Sequence, residues 1–174
     1  MRGVSAFFGA LALAGCAADA GEASVFIAVG RDFEPYTSWT TFDRGYDPVP
    51  PSHEGTSLIY VDPMPEPGAV SFDVGTRIVR IERAGEDPAL WEVHAMVKRG
   101  GGYNAEGAID WEFFELALDG DERPWIRWRG EGPPNGDGYR PAPGAEILGC
   151  NHCHATAFDN DSVLSPVLGL GGEE

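Results

Sequence analysis

Residues 150–154 read Cys150-Asn151-His152-Cys153-His154, a C-x-x-C-H arrangement. Two thiols one helical turn apart can reach both vinyl groups on one edge of a porphyrin. A histidine directly after the second thiol then places its imidazole under the iron. The spacing predicts one covalently attached haem c, with Cys150 and Cys153 as thioether donors and His154 as the iron ligand. A C-x-x-C disulfide or a zinc site would use the same residue types, but zinc wants four closed ligands and no second cysteine pair supplies them.

The side chains that could face such a group are read from strand alternation. In residues 90–98 one face carries Trp91, Val93, Ala95 and Val97, a core pattern; the other carries Leu90, Glu92, His94, Met96 and Lys98. In residues 76–82, Arg77, Val79 and Ile81 share one side while Ile78 and Arg80 share the other, so Arg80 is expected to point the same way as His94. A histidine titrating near neutrality could take protons from a substrate, donate a hydrogen bond to bound oxygen or peroxide, or ligate iron as a sixth ligand. A solvated strand position is the plain alternative. Glu92 lies two residues earlier on the same face. His94, Arg80 and Glu92 are therefore the residues expected to face such a group. Met96 could serve as an axial ligand, but an apolar Met on a strand reads first as packing; Lys98 reads as a solvated strand end, His152 as pointing to solvent, and His53 as a surface or packing residue in a proline-rich loop.

The elements that carry these residues follow from periodicity and turn chemistry. Phe33, Tyr36 and Trp39 recur every three residues and predict a short amphipathic helix over 33–42, with Pro35 near its start. A Pro/Gly-rich loop, 43–55, precedes five predicted strands at 57–61, 76–84, 90–98, 109–116 and 125–128, joined as hairpins and meanders. A loop at 130–144 with four prolines leads to a predicted helix over 145–158 that holds the motif. The expected fold class is α+β: mainly an antiparallel sheet of about five strands, with an N-terminal helix and a C-terminal helix carrying the haem motif.

The start of the chain fits an exported protein. Arg2 and the apolar run after it read as a signal segment, too short to span a bilayer. Leu13-Ala14-Gly15-Cys16 resembles a bacterial lipobox, so Cys16 is the expected lipid attachment site. The predicted organisation is a signal peptide at 1–15, a lipid-anchored tether at 16–32 and one haem domain at 33–174, held on the periplasmic side of a membrane. The lipid then takes one cysteine and the haem two, which leaves no odd thiol in an oxidising compartment. A net charge of −16 argues against nucleic acid or anionic lipid as a partner. A redox partner protein would be basic, because complementary charge speeds encounter. Surface acidity serving solubility alone explains the charge equally well.

Several short pieces in order resemble the cytochrome P-460 family and its relative, cytochrome c-prime-beta. They are Trp39, Tyr60-Val61-Asp62, Phe72-x-x-Gly75-Thr76, Val97-Lys98, Gly107 with Trp111-Glu112-Phe113, the haem motif, and Asp161-Ser162-Val163-Leu164-Ser165. Only the haem motif is specific alone; order and spacing carry the match across nearly all of the mature chain. The resemblance implies a mono-haem c-type protein on an antiparallel sheet, a homodimer, with His154 as proximal ligand. It implies action on small nitrogen compounds, by oxidising hydroxylamine or binding nitric oxide. Two departures bear on mechanism. Where cytochrome P-460 has a lysine cross-linked to the haem ring, this chain has Arg80, a permanently protonated and poor nucleophile. Where hydroxylamine-oxidising relatives have a distal glutamate, it has His94, with Glu92 one strand repeat away, so the resemblance makes His94, Arg80 and Glu92 the candidate catalytic residues. A six-coordinate electron-transfer cytochrome and a peroxidase-like protein using His94 are the alternative readings.

Overall fold

The computed structural model describes residues 24–47, 55–83, 85–141 and 148–170. Six strands form one antiparallel sheet in chain order: β1 (Thr40–Asp47), β2 (Gly55–Asp62), β3 (Arg77–Arg83), β4 (Glu92–Lys98), β5 (Trp111–Leu118) and β6 (Pro124–Arg129). Each strand pairs with its neighbour in sequence, so no connection crosses over another. The α-helical part is one turn, α1 (Cys150–His154), accompanied by short 3-10 turns.

The sheet buries apolar side chains on both faces. On the first, Tyr60, Val79, Ile81, Val93, Ala95, Val97, Phe114 and Leu116 pack under the N-terminal segment, which contributes Phe33, Tyr36 and Trp39. On the second, Ile59, Val61, Ile78, Met96 and Phe113 lie beneath the C-terminal segment and the 130–141 loop, from which Tyr139, Val163 and Leu168 descend. The strict period of two in β3 and β4 sorts the residues between these faces, and it does so as the alternation predicts.

The mostly antiparallel class and all five predicted strands are present, with ends shifted by a few residues. Helix placement and strand count are corrected. The expected helix over 33–42 is instead two 3-10 turns, Gly30–Asp32 and Tyr36–Ser38, followed by β1. Phe33, Tyr36 and Trp39 do turn inward together. Their spacing of three is the period of a 3-10 turn, whereas an α-helix would also fill the i+4 positions. The β-branched pair Thr40-Thr41 then favours a strand, and β1 takes up residues assigned to the 43–55 loop.

Of the expected helix over 145–158, the part that lies among the described residues, from 148 on, is α-helical only over the five residues of the motif. Directly after it the bonds tighten to i→i−3, Thr156 N–H to the Cys153 carbonyl at 3.0 Å and Ala157 N–H to the His154 carbonyl at 3.2 Å; a 3-10 turn at Phe158–Asn160 follows, and Asp161 and Ser162 then adopt left-handed backbone angles, φ 49° and 66°. The segment before β4 is a 3-10 turn, Pro88–Leu90, capped by the Asp87 carboxylate. Lys98 is also corrected: it is 6% exposed rather than solvated. Residues 1–23, including Cys16 and its proposed leader, and His53 lie outside the described residues. Among the described residues no helix is long and apolar enough to cross a membrane.

Candidate functional site

Helix α1 sits on the second face of the sheet. Its entry is fixed by backbone contacts with the 130–141 loop: Cys150 N–H donates to the Gly138 carbonyl at 2.7 Å and Asn151 N–H to the Tyr139 carbonyl at 3.1 Å. Gly149 passes so close to Arg140 that a Cβ would lie 2.6 Å from its Cα. Asn151, between the two cysteines, is the main tether. Its amide exchanges two hydrogen bonds with Asn104 at 2.7 and 2.8 Å, and its oxygen also accepts from Ala108 N–H at 3.0 Å. Gly107 leaves the room this requires, since a Cβ there would meet the Asn151 side chain at 2.3 Å.

One turn of helix gives the three motif side chains different settings. Cys150 is half-buried against the second core, and burial pushes its thiol up to about 11. Cys153 is exposed, and the two cysteines are not joined in a disulfide. The His154 ring packs on Phe113, with centroids 4.9 Å apart. Its Nδ1–H donates to the Ser162 carbonyl at 2.9 Å, because a carbonyl can only accept. That bond fixes the tautomer and leaves Nε2 with a lone pair for a metal. Burial lowers the His154 pKa, against the raising effect of the Ser162 bond, and electrostatic interaction with His94 and Arg80 lowers it further. The neutral ring, the form that ligates metal, is thereby favoured.

Arg80, Glu92 and His94 are brought together on this same face. Arg80 lies directly across from His94, His94 across from Glu115, and Glu92 across from Glu82. His94 Nε2–H donates to Glu92 Oε1 at 2.6 Å, so the two candidate bases form one hydrogen-bonded pair. Arg80 donates from Nε to Ser57 Oγ at 3.0 Å and forms an ion pair with Glu82, which is 1% exposed. The side chains of His94 and Glu92 are about two-fifths exposed, at 39% and 40%. Met96, in the same strand, is buried packing, and His152 points to solvent, both as the sequence predicts.

Among the described residues no group of three or more His, Cys, Asp and Glu is placed to hold a metal ion by itself. A macrocycle that brings its own four nitrogens needs only axial imidazole and peripheral thiols. His154 Nε2, Cys150 and Cys153 fit that donor set.

Comparison with protein-family models, curated proteins and solved structures finds no match to this chain. The site is therefore described by its own geometry.

Residues that support the site and to which the sequence reading gave no positioning role include Asn151, Tyr139, Asp161 and Ser162. Tyr139 is fully buried, stacks edge-on against Phe113 and donates its hydroxyl to Tyr103 at 3.1 Å. Burial, then the Tyr103 bond, raises its pKa. The run Asp159-Asn160-Asp161-Ser162 is a cluster of turn formers, which is the signal for the tight turn that follows the motif segment.

Proposed function

We propose that this protein is an exported mono-haem c-type cytochrome, resembling cytochrome P-460, that binds or oxidises small nitrogen compounds at an open iron. The observation that carries the reading is placement. The C-x-x-C-H helix, with His154 held through Nδ1, packs on the sheet face that also displays Arg80, Glu92 and His94. When bound, the haem supplies an iron that holds a small ligand and passes electrons singly to an external acceptor.

The chain's own residues do the rest. Cys150 and Cys153 anchor the macrocycle edge, and His154 presents Nε2 to the iron with its ring orientation set by Ser162. His94 accepts substrate protons, and Glu92 orients it and stabilises the imidazolium that results. Arg80 adds a fixed positive charge beside this pair, and its guanidinium does not form the ring cross-link of a lysine. Cys16 carries the lipid in this reading, the mature chain is a homodimer on the periplasmic side, and its electron acceptor is a basic protein.

The deciding experiment adds hydroxylamine and an artificial electron acceptor to the purified haem protein and to His94→Ala. Turnover that falls about 100-fold or more in the variant supports catalysis with His94 as base. Tight nitric oxide binding with no turnover supports the binder alone. A low-spin spectrum that becomes five-coordinate in His94→Ala would make His94 the sixth ligand and the protein an electron carrier.

A further inference from the structure

The C-terminal segment carries a buried ion pair that nothing in the proposed chemistry uses. Lys98, the chain's one lysine, ends β4 on the second sheet face and donates from Nζ to Asp161 Oδ1 at 2.6 Å and to the Ile109 carbonyl at 3.2 Å. Its ammonium also lies 5.2 Å above the Trp111 ring. Asp161 is held at two further points: Oδ2 accepts from Phe72 N–H at 2.8 Å, and its carbonyl accepts from Trp111 Nε1–H at 2.6 Å. Three separate parts of the fold thus converge on one aspartate.

The next residue along is the one that touches the ligand histidine. Asp161 and Ser162 both have left-handed backbone angles, and a serine holds that conformation only where its surroundings impose it. The imposed turn aims the Ser162 carbonyl at His154 Nδ1, 2.9 Å away. Val163 N–H, bonded to the Asn160 carbonyl at 2.9 Å, closes the turn from its other side.

We propose that Lys98 and Asp161 are positioning residues that set the strength of the Ser162–His154 hydrogen bond, and through it the donor strength of the His154 imidazole toward a metal. This rests on the haem reading for its purpose, while the hydrogen bond itself is a property of the chain. A strong acceptor at Nδ1–H gives the imidazole anionic character, which favours ferric over ferrous iron. The lock acts through the Ser162 carbonyl and makes no contact with substrate, so its signature is spectroscopic.

The test reads the His154 Nδ1 proton by NMR in the reduced, carbon-monoxide-bound protein, which is diamagnetic. The variants are Lys98→Met, Lys98→Arg, Asp161→Asn and the double variant Lys98→Met/Asp161→Asn. The double variant removes both charges, so neither is left buried alone, and it covers the case in which Lys98→Met does not fold. The expected result is a slowly exchanging proton in the wild type and in Lys98→Arg. Exchange should be about tenfold or more faster in Asp161→Asn and in the double variant. The iron–imidazole stretching frequency of the ferrous form should fall in the same variants. An unchanged proton in folded Asp161→Asn and double variants, even with lowered melting temperatures, would overturn the proposal and leave Lys98–Asp161 a structural pair. If the wild type carries no haem, the proposed function fails, and the same proton read in the haem-free chain still decides this inference.

Discussion

At the scale of single residues, the motif's chemistry depends on a side chain that the spacing C-x-x-C-H leaves unspecified. Asn151 occupies the first x position, yet it makes the reciprocal amide pair with Asn104 and accepts from Ala108 N–H. Asn104 is 4% exposed, so losing this partner strands buried polar atoms. Asn151→Ala should cost about 2–3 kcal/mol in urea unfolding and, under the proposed haem function, lower haem incorporation in parallel, whereas His152→Ala at the exposed x position should change neither. Equal effects at the two sites would contradict the anchoring role. Residues whose role follows from local period were legible: Arg80 and His94 share a face because both strands alternate strictly. Lys98 was not, because the partner that buries it, Asp161, lies 63 residues further along the chain. Alternation gives a side chain's direction and says nothing about what another segment lays over it.

At the scale of elements, α1 owes its position to close backbone approach, since five residues supply little helical stability of their own. The approach is made at Gly149, whose φ of −72° any residue could adopt. The requirement there is space, because an added methyl would meet the Arg140 backbone at 2.6 to 2.7 Å. Gly149→Ala should therefore displace the helix from the 130–141 loop and cost about 1–3 kcal/mol in thermal or chemical unfolding, with weakened His154–Ser162 contact. A variant as stable as wild type would show that the loop yields freely. The same dependence on tertiary contact explains which elements the sequence disclosed. Strands with strong alternation and flanking turn residues were readable at nearly their true length. The two 3-10 turns were misread as a helix, since three inward aromatics at a spacing of three fit both until the i+4 positions are checked.

At the scale of the whole molecule, one sheet separates two cores with different tasks: the motif side carries the candidate chemistry, and the opposite side holds the N-terminal segment in place. The second task has its own titration signature. Tyr36 is 2% exposed, meets Tyr60 edge-on at 5.0 Å, and has its phenol pushed up to about 12, first by burial and then by Glu122. Tyr60 is raised for the same leading reason, and so is Tyr139 on the other face. Below pH 10 these phenols are protonated in folded and unfolded chains alike, so pH has no leverage through them. Between pH 10 and 12 the unfolded chain releases protons that the folded chain keeps. Unfolding then becomes easier as pH rises, and the contribution of neutral Tyr36 is lost as its folded pKa is passed. For Tyr36 alone the fall should amount to about 2–3 kcal/mol across that window. Tyr36→Phe keeps the ring in the core and removes the titrating group, so its stability should decline less steeply over the same range. The comparison belongs to equilibrium unfolding of both chains at several pH values. Parallel curves would mean that alkaline loss is governed elsewhere, with Tyr139 beside the motif the next group to replace.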